Sequence, residues 1–235
     1  MLRVAVLVSA TCLSYALAWL IRVPAIVPAL NTLPAFPFLY LALREGRTLR
    51  AVGEMLAWAA TLGACATIVS YLDPIAAGRL FINGEAYRRE MFFWVLTGVG
   101  AESNPTQFVP THAFHAGVFC LLSFVSASIL SMPMGAVLMN YMGHYVGALA
   151  AVSRHPLLTG FAAWVPWSLV RIASYVTLGV VLAGPMASRL LGFQYRLRDH
   201  RRALAVGFLG LAVDIAVKAA LAPAWHRLLR GLVGW

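Results

Sequence analysis

Two histidines, His112 and His115, stand three residues apart in FVPTHAFHAGVF, at the head of a long apolar run. A third, His144, follows in MNYMGHYVG, four residues after Asn140. Residues three or four apart share one face of a helix, so each pair projects together. Three chemistries suit such a set. Two or three imidazoles with a carboxylate can hold a divalent transition metal such as Zn, Fe or Cu, and His112, His115 and His144 are the candidate metal ligands. One imidazole can act as general base while an amide orients it or stabilises an oxyanion. His112, His115, His144 and Asn140 are the candidate catalytic residues. Imidazoles can also relay protons. The competing role is packing, with His112 capping a helix and His115 and His144 bonding across a helix pair.

The surrounding motifs narrow this little. HxxH is not HExxH, and no glutamate lies beside it; no GxSxG nucleophile motif is present. Met132, Met134, Met139 and Met142 crowd the segment before His144. Thioethers suit Cu(I), and they also serve as apolar filler. Cys12, Cys65 and Cys120 each lie in an apolar run and form no CxxC, which points to small apolar side chains rather than a zinc or disulfide framework.

A second set of residues is charged where charge is costly. Arg171 sits inside WSLVRIASY, and Asp214 and Lys218 stand four apart in a later apolar run. A lone arginine at mid-membrane costs at least about 2.5–3.5 kcal/mol. Asp214 is therefore expected to pair with Arg171 or Lys218. One carboxylate cannot neutralise both cations, so a second acceptor is expected, with Glu54 the candidate. Such a network either locks helices together or lines a polar path for ions, protons or an anionic headgroup.

What must position these residues is a set of membrane-length helices. The chain of 235 residues is 61% hydrophobic and only 11% charged, against about 25% charged in soluble domains. A span needs about 20 apolar residues. The expected fold is an all-α, polytopic transmembrane helical bundle in a single domain, 1–235. Its seven expected spans run over residues 4–21, 24–43, 49–72, 107–130, 134–152, 157–184 and 203–222. Prolines 24, 28, 34 and 37 break the second. Residues 73–106 are too polar to span. They read as an interfacial amphipathic segment, about 78–98, and a polar loop carrying Glu85, Glu90 and Glu102. SMPMG is read as a tight turn between the fourth and fifth runs, which makes them antiparallel neighbours and brings His115 and His144 to the same membrane side. Gly143, Gly147 and Ala151 form a small-residue stripe suited to close helix packing. Trp225 and Trp235 read as interfacial anchors of the C-terminal tail. No internal repeat of the kind built into many secondary transporters is evident.

The net charge of +10 comes almost wholly from arginines placed between the apolar runs. There they face anionic headgroups, so the bilayer is the expected partner and nucleic acid is not. With a cytoplasmic N-terminus, nine arginines fall on the cytoplasmic side and seven on the other, which favours that orientation in a plasma or inner membrane. The functional expectation is transport, or a subunit of a membrane complex, built around the buried polar network. A partner subunit or a second copy of the chain fits that role. The alternative is an intramembrane enzyme, hydrolytic or metal-dependent, using the histidines, with residues 73–106 as a lid.

Overall fold

The computed structural model describes residues 1–235. It is all-helical, with no strand. Six helical segments, one fewer than the seven expected, are long and apolar enough to cross a membrane, and the expected fifth span, 134–152, is not among them; the chain is built as a multi-pass membrane protein. Apolar side chains such as Leu13, Ile68, Phe114, Leu121 and Leu209 point outward, the signature of a lipid-facing surface.

The first span is α1 (Leu2–Ile21). The proline-rich second span is broken as expected. A 3-10 turn (Pro24–Ile26) leads into α2 (Val27–Thr32), and α3 (Ala35–Arg44) follows Pro34. The clean third run forms α4 (Thr48–Leu72). The polar 73–106 segment folds as α5 (Pro74–Leu80), α6 (Gly84–Thr97) and a 3-10 turn (Ala101–Ser103). Asp73 starts α5 by accepting from the Ala76 amide at 3.0 Å, ahead of Pro74. Gly98, in the left-handed region at φ 73°, ends α6. Next come α7 (Pro105–Val125) and α8 (Ser131–Ala151). The expected sixth span is split: α9 (Pro156–Ala163) stops before Pro166, which opens α10 (Pro166–Leu191). The last helix, α11 (Arg201–Val233), is eleven residues longer at its C-terminus than expected. Pro223 lies inside it without ending it.

The reversal between α7 and α8 also differs from expectation. It falls at residues 126–130, where Ala127 and Ser128 adopt positive φ. Met132, Pro133 and Gly135 lie within the first turns of α8. Proline is tolerated in a first helical turn, where its missing N–H has no intrahelical partner, so SMPMG starts a helix rather than turning one.

α8 is the axis of the bundle and its most enclosed helix, with fourteen of its 21 residues buried. It runs parallel to α4. A Cβ on Gly143 would lie 2.5 Å from Ala66 Cβ, and one on Gly147 would lie 2.2 Å from the Thr67 carbonyl. The predicted small-residue stripe is therefore where two backbones touch. Asn140 accepts from the Tyr15 hydroxyl of α1, and its side chain lies 3.4 Å from the amide of Asn31 in α2. Asn31 in turn accepts from Ser14 at 3.0 Å. This small polar node ties α1 and α2 to the axis.

One end of the bundle carries a cap made of α5, α6, α9 and the final turns of α11. Trp225 donates to the Ala162 carbonyl at 2.8 Å, and its ring meets Trp167 edge-on. It is a packing residue of the cap rather than a lipid-facing anchor. Glu85 lies on the first turn of α6, where the Arg88 guanidinium holds its carboxyl below the usual carboxylate range. Cys12 and Cys65 are free thiols brought to 3.6 Å between α1 and α4.

Candidate functional site

Arg171 lies in the second turn of α10, beneath the cap. Its Nε and Nη2 donate to the two carboxylate oxygens of Asp214 on α11, both at 2.9 Å. The expected pairing of Arg171 with Asp214 is therefore present, in the bidentate form that suits a guanidinium. Lys218, one turn along α11, does not share Asp214. Its Nζ donates to Glu102 Oε1 at 2.8 Å and sits 4.5 Å from the Phe108 ring centroid. Asp214 and Lys218 are each 1% exposed. Two buried ion pairs thus stand side by side, each with one carboxylate per cation.

Glu54 is not the second acceptor. It lies near the start of α4, at the opposite end of the bundle, held by Arg3 at 3.0 Å and Arg50 at 3.1 Å. The second acceptor is Glu102, one of the three loop carboxylates named above. Of the other two, Glu90 lines the same cavity and is exposed, while Glu85 pairs with Arg88 elsewhere on the cap.

The histidines divide between two places. His112 and His115 line the cavity beside the ion pairs. His112 Nδ1 lies 3.5 Å from Asp214 Oδ2 and makes no hydrogen bond, although it is buried. His144 is fully buried on the other side of α8. Its Nδ1 lies 3.0 Å from Ser70 Oγ of α4, and its Nε2 lies 3.7 Å from Glu85. The backbones of Gly78 and Gly84 press on its ring. Asn140 faces the same way, toward Tyr15 and Asn31. The expected shared pocket of His112, His115, Asn140 and His144 is not assembled. No group of three or more His, Cys, Asp or Glu side chains comes together in a metal-holding arrangement. The cause is rotation about α8. Gly143 and Gly147 fix which face of α8 meets α4, and His144, next to Gly143, is carried toward Ser70.

The face of α8 that does meet the cavity bears Gly135, Leu138, Met139 and Met142. Their spacing of three, four and seven is one helical stripe. The cavity is about 310 Å³, within the range of small-ligand sites. It is chemically polarised along its length. At the cap end lie Glu102, Lys218, Arg171, His112 and His115, with the phenols of Tyr87, Tyr141 and Tyr175. Toward the other end the lining becomes Met132, Met139, Val176 and Val180, then Met55, Trp58 and Leu39. Tyr87, Tyr141 and Tyr175 were not singled out by sequence reasoning, and the methionines of α8 were noted only as thioethers suited to Cu(I) or as apolar filler. A helical-wheel reading of α8 places Met142 opposite Asn140 and His144, and that was the available signal.

α7 closes this cavity on one side. It packs mainly against α10 and less extensively against α8 and the Ala101–Ser103 turn. The arrangement can bind a molecule with a polar end and an apolar end. It offers the polar end guanidinium, ammonium, imidazole and phenol groups. Comparison of the chain with protein-family models, with curated proteins and with solved structures finds no match.

Proposed function

We propose that this protein takes an amphipathic, single-chain molecule from the lipid phase into its core, in a transport-type role. The observation that carries the reading is that one continuous cavity joins the two buried ion pairs to a methionine- and aromatic-lined tail. Charges this deep are costly and are kept where a polar path or ligand uses them. α7 packs less extensively on α8 than on α10, which supports the α7–α8 seam as the route of entry. The arginine distribution supports an inner or plasma membrane with the N-terminus cytoplasmic. The bilayer, and not nucleic acid, is the partner in this reading.

Filling the apolar half of the cavity tests it. Gly135 lines that half, and a Cβ there would meet only Phe119, at an ordinary 3.8 Å. Gly135→Leu is expected to leave the fold intact and to weaken binding of dodecanol to the protein in phosphatidylcholine nanodiscs by at least about tenfold, or about 1.4 kcal/mol. Undiminished binding would reject the cavity as the site.

A second reading is favoured by one specific feature. His112 stands beside the Asp214 carboxylate at the head of the cavity, a base next to an orienting acid. An intramembrane hydrolase would use it to draw a proton from water attacking an ester-linked headgroup. In that case purified protein releases free fatty acid from ester lipids, and His112→Ala abolishes the release. Absence of any release from the wild-type protein across lipid classes rejects the enzyme reading.

A further inference from the structure

Building on the cavity reading, we infer that the ligand carries an oxyanion head, a carboxylate, phosphate or sulfonate, and that Glu102 occupies the place of that head as a displaceable internal carboxylate on Lys218.

The donors at the cap end are in excess. A guanidinium has five N–H donors and an ammonium has three. Asp214 engages two of those on Arg171, and Glu102 engages one on Lys218. A head rich in acceptor oxygens fits what is left. A cationic head does not, because the acidic groups there are committed to Arg171 and Lys218, apart from the exposed Glu90.

Charge balance then decides how an anion enters. Both cations are already neutralised, so an added anion must replace one of the two carboxylates or remain uncompensated in a buried site, which is costly. The two are unequal. Asp214 stands on a 33-residue helix, is almost fully buried, and is held by both of its oxygens. Glu102 stands on a three-residue 3-10 turn and makes a single contact to Lys218. Its side chain is 13% exposed. Gly98 and Gly100 precede that turn with φ of 73° and 133°, so the backbone there is of the kind glycine adopts most readily. An incoming oxyanion exchanges one charge-assisted bond at Lys218 for another and gains the unused N–H groups of Arg171 beside it. Lys218 itself stays in place, seated over Phe108. Displacement of Glu102 moves the loop that joins α6 to α7, so occupancy of the head is coupled to the position of α7.

The test uses the full-length protein in phosphatidylcholine nanodiscs, with empty nanodiscs as the blank. Three probes share one chain length: dodecane sulfonate, dodecanol and dodecyltrimethylammonium. The wild-type protein is expected to bind sulfonate and alcohol and to discriminate against the cation. Glu102→Gln, which keeps the size and removes the charge, is expected to raise the preference for sulfonate over dodecanol by about tenfold, equivalent to about 1.4 kcal/mol. Lys218→Met is expected to remove that preference, and Lys218→Arg to keep it. Where Lys218→Met does not fold, Glu102→Gln decides alone. A sulfonate preference that is unchanged or reduced in Glu102→Gln overturns the displacement, while dodecanol binding shows that the cavity reading survives. Failure of the wild-type protein to bind any of the probes overturns both.

Discussion

Arg171→Leu is expected to destabilise the protein by about 3–5 kcal/mol, the cost of leaving a buried charge without its partner. The change orphans Asp214, which is 1% exposed and receives both of its short ionic hydrogen bonds from this guanidinium. Lys218 does not take its place, because its ammonium is held by Glu102. Arg171 keeps 23% of its side-chain exposure, which puts the expected cost toward the lower end of that range. The informative variant is the double one. Arg171→Leu with Asp214→Leu removes both charges and fills the space with apolar groups, and such replacements of buried pairs are often neutral or stabilising. Thermal unfolding of the four proteins in one detergent is expected to show the double variant close to wild type and a coupling of at least about 1 kcal/mol. Strictly additive losses would mean that the two side chains do not interact, and the head of the cavity would have to be redrawn.

How far the sequence alone leads depends on which kind of constraint is asked for. Arg171 and Asp214 were legible because a charge in an apolar run has to find an opposite charge, whatever the fold. The breaks at Pro34 and Pro166 follow from chemistry as local. Glu102 as the partner of Lys218 was not legible. It depends on a loop folding back over the bundle, and 116 residues separate the pair. Glu54 failed as an acceptor for a related reason. Its own neighbours Arg3, Glu45 and Arg50 form a separate ionic cluster at the other end.

The histidines show a finer limit. The hairpin between α7 and α8 was expected to bring His115 and His144 to the same membrane side; His115 lies at the middle of α7 and His144 in the second half of α8. Hairpin geometry fixes height along the axis and leaves rotation about it free. At 3.6 residues per turn, Met142 and Asn140 lie about 200° apart on α8. Either could have faced α7. The face was chosen by Gly143 and Gly147 seeking the backbone of α4, which turns Asn140 and His144 away from the cavity and leaves Met139 and Met142 lining it. The glycine stripe was visible in the sequence, and so was the histidine. The identity of the helix that the stripe would meet was not.

That same contact sets the other large expected effect. Gly147→Leu is expected to cost at least about 3 kcal/mol, the upper end of what overpacking costs, because no rotamer relieves the clash. The obstruction is backbone: a Cβ at position 147 would lie 2.2 Å from the Thr67 carbonyl oxygen and 2.8 Å from the Tyr71 amide nitrogen. α4 and α8 must separate, and α8 carries Asn140 and the methionine face of the cavity with it. Gly147→Ala already places the offending Cβ and is expected to lose about 1–3 kcal/mol. Gly117 on α7 supplies the control, since a Cβ there meets nothing within 4 Å. Gly117→Ala in an open helix interior is expected to gain about 0.5–1 kcal/mol from reduced backbone freedom. The same chemical change thus has opposite signs on two helices. Thermal midpoints of the two alanine variants, measured side by side, read this directly. Equal shifts at positions 117 and 147 would mean that α8 does not touch α4 along this stripe, and the rotation that separates His144 from His112 would lose its cause.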